Sequence, residues 1–178
     1  MNKIIYIIPI MVMAWLGYLQ ISKPEEEKID TTLISVDVPE FSFKEASLTK
    51  WRTNNIVSSN DLPRQVMMIN IFASWCMACY REHKQIVELA EKHNLTIYGI
   101  AYNDTEKALA KFFKKRKNPY SKLLITPTIY NTNIWGMTGM PESFIVDVNG
   151  KIRYRHKGPI LKQHVETIII PIIEKLSK

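Results

Sequence analysis

The stretch Ile69 to His83, INIFASWCMACYREH, constrains this chain more than any other. An apolar run from Val66 to Phe72 leads through Ala73-Ser74-Trp75 into Cys76-Met77-Ala78-Cys79, and charged residues then recur at a spacing that suits a helix. A strand that stops at a Cys-x-x-Cys, with a helix opening on the first cysteine, aims unpaired backbone N–H groups and the positive end of the helix dipole at Cys76. Both favour the thiolate, which is the attacking species. Cys79 follows one helical turn later and can reach the same sulfur. The pair reads as an attacking and a resolving thiol. A structural bridge, an inert core pair and a metal site are the competing readings. A bridge across so short a loop removes only about 2 kcal/mol of unfolded-state entropy, little for a domain of this size.

A length of 178 residues gives room for one domain with a sizeable core plus a tail, and 46% hydrophobic residues are those of a globular protein. The net charge of +7 suggests an anionic partner. Much of it sits in Lys107, Lys111, Lys114, Lys115, Arg116 and Lys117. No recognisable nucleic-acid module surrounds them, so a solvated surface is the preferred reading and no nucleic-acid partner is expected. A docking or lipid-facing patch is the alternative.

From Ile4 to Ser22 no residue is charged. Such a run spans roughly 28 Å as a helix, close to the hydrocarbon thickness of a bilayer. Residues 1–22 read as a signal-anchor, with a cleavable signal peptide as the alternative. The bulky Tyr18-Leu19-Gln20-Ile21 offers no clean cleavage site. Lys3 stays inside and Glu25, Glu26 and Glu27 follow outside, which places the rest beyond the cytoplasmic membrane. Residues 23–37 read as a spacer and 38–178 as the domain. Outside the cytoplasm a dithiol is at risk of oxidation, so a reductase there needs an electron supply.

Within the domain, Val38 to Phe43 reads as a short strand and Ser47 to Arg64 as loop with a short helix at most. Val66 to Phe72 is the central strand, about Met77 to His93 the helix after it, and Leu95 to Tyr102 a second buried strand. Asn103-Asp104 starts a helix carrying Ala108, Leu109, Phe112 and Phe113 on one face, and Asn118-Pro119 ends it. Glu142 to Val148 and Lys151 to His156 form a hairpin around Asn149-Gly150. Leu161 to Leu176 closes the chain as a helix, kinked or broken at Pro171. The order β-α-β-α-β-β-α around Cys-x-x-Cys is the thioredoxin arrangement, an α/β fold with a central mixed sheet flanked by helices.

At this point the sequence resembles a known family. WCMACYREH, GIAYND, KNPY and WGMTGMPESFIVDVNGKIRYRH, in that order, are similar to the membrane-anchored periplasmic thioredoxin-like proteins of cytochrome c biogenesis, the CcmG/DsbE type. The resemblance implies Cys76 as exposed nucleophile and Cys79 as resolving thiol. It implies a cis Met140-Pro141 peptide facing the dithiol, with Met140 offering its backbone to a substrate strand. Trp75 matches the tryptophan beside the nucleophile, with a plain core aromatic as the alternative. Glu82 and Glu142 match acidic positions that accept a proton or shape an acidic surface, although lone carboxylates are more often solvated. Asn70 occupies the strand position where general thioredoxins bury a carboxylate, so the proton leaving Cys79 must go elsewhere, for instance to Glu82 through water. Met77 stands where the family more often has proline, which leaves its reducing poise open.

The resemblance further implies a thiol–disulfide oxidoreductase of the inner membrane. It would act as a periplasmic reductant on the haem-attachment cysteines of an apocytochrome c, directly or through a partner thiol protein, and a membrane electron carrier would restore it. No cofactor or metal is expected, because the two sulfurs carry both electrons. The rivals are a periplasmic disulfide reductase or oxidant with another client, and a copper chaperone using soft ligands such as Met77, Met137 and Met140.

Overall fold

Alternation along the central strand decides the architecture. Met67, Ile69 and Ile71 point to one face and Met68, Asn70 and Phe72 to the other, and all six are buried. Both faces of that strand therefore need cover. The computed structural model describes residues 11–13, 15, 34–48, 54–126 and 134–178. The chain forms two compact units, Met1–Asp30 and Thr31–Lys178. In the first, residues 11–13 and 15 are helical and exposed. The rest of the anchor expected over 1–22, and the spacer up to residue 33, lie outside the described residues. Among the described residues no helix is long and apolar enough to cross a membrane.

The second unit runs β1 (Val36–Asp37), β2 (Ser42–Glu45), β3 (Ile56–Ser58), β4 (Met67–Phe72), α1 (Met77–Lys92), β5 (Thr96–Tyr102), α2 (Glu106–Lys114), β6 (Lys122–Thr126), β7 (Glu142–Val146), β8 (Lys151–Lys157) and a terminal helix α3 over 162–176. Among the described residues the strands make one mixed sheet ordered β1-β8-β7-β4-β5-β6-β2-β3. β4, β5 and β6 are parallel, β7 runs antiparallel beside β4, and β8 runs antiparallel beside β7. The two crossovers, β4 to β5 and β5 to β6, step across the sheet in the same direction. Right-handed connections therefore put α1 and α2 on the same face.

That face is one core: Met68, Phe72, Ile97 and Leu123 from the sheet meet Ile86 and Leu89 of α1, Leu109 and Phe112 of α2, and Val165, Ile168 and Ile169 of α3. Among the described residues the opposite face is covered by side chains from the β2–β3 hairpin and from the segment before β7. Phe41, Phe43, Val57 and Trp135 close over Met67, Ile69, Ile71, Ile100 and Phe144. The mixed sheet with flanking helices is the expected one: α1, α2 and α3 pack on one face, and among the described residues the β2–β3 hairpin and Trp135 pack on the other.

Several boundaries move from the sequence reading. The strand expected over Val38 to Phe43 is split, because Pro39 offers no N–H: β1 begins at Val36, inside the stretch read as spacer, and β2 follows at Ser42. β3 lies in the stretch read as loop; it is a three-residue edge strand whose Ile56 faces solvent, too short to show a period. β6 was not expected, because Leu123-Leu124-Ile125 is an apolar run without alternation. In the β7–β8 hairpin Asp147 and Lys151 close a three-residue loop, Val148 to Gly150, with Gly150 at φ 76°. Its register is set by the Asp147 carboxylate, which accepts from the N–H groups of Asn149 and Lys151. Pro171 neither breaks nor ends α3. A π-helical stretch, Val165–Ile169, widens the turn before it, where an α-helical carbonyl would meet the proline ring.

Candidate active site

Parallel β4 and β5 end side by side, so the turns that follow them meet. Asp104, after β5, accepts from the backbone N–H of Ser74 at 2.6 Å and from its hydroxyl at 2.9 Å. Trp75 Nε1 donates to the carbonyl of Asn103 at 3.1 Å. The Tyr80 hydroxyl donates to the carbonyl of Ser74 at 3.0 Å. These bonds fix the Ala73-Ser74-Trp75 turn, and α1 opens directly from it. Asp104 had been read only as a helix start. The adjacency of parallel strand ends is the signal that could have assigned it to the site.

Cys76 is the N-cap of α1, and its Sγ accepts the Cys79 backbone N–H at 3.2 Å. The two cysteines are joined as a disulfide with Cα atoms 5.3 Å apart. The same N–H would stabilise a Cys76 thiolate once the bond is reduced. Cys76 was expected to be exposed; in the disulfide form it is only 8% accessible, against 3% for Cys79. The fixed turn and the bridge draw it down onto the helix end. The difference nevertheless leaves Cys76 as the outer member of the pair. Its neighbours Trp75 and Met77 are 54% and 77% exposed, which excludes the core-aromatic reading of Trp75.

Antiparallel pairing of β7 with β4 sets Glu142 opposite Ile71, so Pro141 arrives beside the end of β4. The Met140-Pro141 bond is cis. Met140 packs against the core cluster that contains both cysteines, whereas Met137 packs on the opposite face. Glu142 is 1% exposed and shapes no acidic surface. Its Oε2 accepts from Arg155 Nε at 2.7 Å, and its Oε1 accepts from the N–H of Thr138 at 2.9 Å. Arg155 also donates to the carbonyl of Gly136 at 2.7 Å. This carboxylate ties the 136–141 loop to β8. Arg155→Ala should therefore strand a buried charge and lower stability by about 3 kcal/mol or more, read as a fall in the urea midpoint.

Glu82, also 1% exposed, is not the solvated carboxylate the sequence suggested. It faces the core from α1, one turn beyond Cys79. Asn70 Nδ2 donates to its Oε1 at 2.9 Å and the N–H of Ile160 to its Oε2 at 3.0 Å. Burial outweighs both bonds and pushes its pKa up from 4.5 to about 7. Asn70, fully buried, also donates to Ser143 Oγ at 3.0 Å and accepts from the Tyr120 hydroxyl at 2.7 Å. Neither Ile160 nor Tyr120 was anticipated, since their approach depends on the tertiary fold.

A thioredoxin-like sheet carrying a redox-active Cys-x-x-Cys at a helix N-terminus, beside a cis-proline loop, defines a protein thiol–disulfide oxidoreductase. The redoxin family model matches residues 36–169. A thiol:disulfide interchange protein DsbE of Allochromatium vinosum is 31% identical over 151 residues, covering 85% of this chain and 81% of its own length. A DsbE protein of Vibrio cholerae is 28% identical over 183 residues, covering 99% and 97%. Among solved structures, a thiol:disulfide interchange protein of the thioredoxin family from Chlorobium tepidum superposes with a TM-score of 0.62 at 22% identity, covering 82% of this chain and 98% of that one. The chain belongs to the redoxin family and, within it, to the DsbE-type thiol:disulfide interchange proteins.

Proposed function

We propose that this oxidoreductase is a reductant held at the outer face of the cytoplasmic membrane, serving cytochrome c maturation. Residues 1–22 anchor it, 23–37 space it from the bilayer, and 38–178 work on the periplasmic side. The Cys76 thiolate attacks a client disulfide, and one client sulfur leaves as a thiolate, which takes a proton from solvent. The Cys79 thiol then loses its proton to the Glu82 carboxylate, directly or through a water, and attacks Cys76 Sγ. The second client sulfur leaves, so the client gains the two electrons that the 76–79 dithiol gives up. A membrane electron carrier returns the protein to the dithiol.

The observation that carries this reading is the Cys76 sulfur at the mouth of α1, receiving the Cys79 N–H. The proposed client is the haem-attachment Cys-x-x-Cys-His of an apocytochrome c, or a partner thiol protein ahead of it. That client is supported by the order of motifs from WCMACYREH to the Met140-Pro141 loop. A Cys79→Ala variant expressed in cells should accumulate a mixed disulfide at Cys76, and mass spectrometry of the captured partner should show one of those two. An unrelated client would favour the general-reductase rival. The potential should lie nearer thioredoxin's, about −270 mV, than the oxidant DsbA's, about −120 mV.

A further inference from the structure

The side chain that organises the buried polar cluster under the disulfide belongs to Tyr120. Its ring lies flat over Gly99, where an added Cβ would stand 2.7 to 2.9 Å from three ring atoms. Gly99 is the register partner of Asn70 across β5 and β4. Only a residue without a side chain at 99 leaves room for the ring to cross β5 and bring its hydroxyl to Asn70. Phe72 stacks on the ring at 4.9 Å, and Asn118 Oδ1 accepts the Tyr120 backbone N–H at 3.1 Å, so both the ring and its backbone are held.

We propose that Tyr120 is a positioning residue for the exchange reaction: its hydroxyl, donating to Asn70 Oδ1, fixes the amide so that its N–H groups stay on Glu82 and Ser143 and the Glu82 carboxylate is kept ready for the Cys79 proton. This rests on the reading of Glu82 as the acceptor of that proton. The physics lies in the asymmetry of an amide. Reversed, Asn70 would turn its oxygen onto the carboxylate, an arrangement that only the protonated acid accepts. Reversal would turn the amide NH2 onto the phenol and take the Oδ1 acceptor away from the phenol's own proton, so the hydroxyl disfavours it. Burial holds the Tyr120 pKa well above its ordinary value, so the proton stays on the oxygen. Without the hydroxyl, ionising Glu82 leaves a buried carbonyl oxygen unsatisfied, whereas the neutral acid is satisfied by the turned amide. The titratable groups around Glu82 are Cys79 on its own helix, Tyr120 from the segment before β6 and, on β8, His156, which is the register partner of Ser143.

The test is an infrared titration of the Glu82 carboxyl in the oxidised full-length protein, with the band assigned by its loss in Glu82→Gln. The midpoint of about 7 should move up in Tyr120→Phe by roughly half a unit to one unit. The pH profile of the resolving step should move with it, while attack by Cys76, measured in a Cys79→Ala background, keeps its rate. Difluorotyrosine placed at position 120 keeps the ring and strengthens the donor, so it should move the midpoint down; it decides the matter if the phenylalanine variant fails to fold. A midpoint unmoved by either change overturns the role of Tyr120 and leaves the exchange chemistry standing. A moved midpoint with a pH-independent resolving step overturns Glu82 as proton acceptor, and the proposal with it.

Discussion

Cys76→Ser should abolish catalysed disulfide reduction, a loss on the order of 10⁴-fold or more, because a hydroxyl cannot replace the thiolate and the covalent route disappears. Cys79→Ser should behave differently. The attack at Cys76 survives, but the mixed disulfide has no internal thiol to resolve it. Incubated with a model disulfide, that variant should take up one equivalent per protein, visible as a single mass increment that free dithiothreitol removes. The asymmetry follows from the site: Cys76 is the more accessible sulfur and its Sγ accepts the helix-end N–H, whereas Cys79 is buried within α1. If both serine variants trapped a client equally well, the assignment of attacker and resolver would be wrong. Wild-type mass spectra after the same incubation should show no adduct, since resolution outruns capture.

The attacking half of this site was legible in the sequence because it is local. A strand period, two cysteines one helical turn apart and the helical spacing after them all fall within Val66 to Lys92, and each is a short-range property of the chain. The sheet order around β4 was legible for a related reason: alternating strands and helices leave few right-handed solutions. The proton-handling half was reached only through the family resemblance, which named Glu82 and Asn70 but neither their burial nor their partners. Glu82 looks like any surface glutamate on an amphipathic helix. Its burial depends on the Ile160 N–H arriving 78 residues later and on Asn70 being turned toward it by Tyr120. Glu142 misleads in the same way, since its partner Arg155 lies across a hairpin whose register the Asp147 turn decides. β3 and β6 escaped for lack of period, one being too short and the other apolar throughout. What the sequence withheld is therefore the long-range pairing of polar groups, which no periodicity encodes.

Glu82→Gln should slow the resolving step by about 10²-fold at neutral pH, the scale of a lost general base, while removing a pH-dependent loss of stability from the folded protein. The sign of the second effect follows from proton linkage. Below pH 4.5 the carboxyl holds its proton in both the folded and unfolded chain. Between 4.5 and about 7 the folded protein keeps a proton that the unfolded chain has released, so stability falls as pH rises through that window. Above it the cost levels off at about 3 to 4 kcal/mol, from roughly 2.5 units of displacement at about 1.4 kcal/mol each. A glutamine, which does not ionise, escapes that pH-dependent cost and can still accept the Ile160 N–H, while its NH2 meets the Asn70 NH2 at a penalty that does not vary with pH. Urea midpoints at pH 4 and pH 8 should therefore diverge, with the variant gaining on the wild type at the higher pH. A residue with only a packing role would lose stability and leave the resolving step's pH profile intact. At Glu82 the profile should change: the wild-type rate climbs through pH 7 as the carboxylate forms, and the variant's rate loses that inflection. Normal turnover by a folded Glu82→Gln protein would show that the buried carboxyl is not where the Cys79 proton goes.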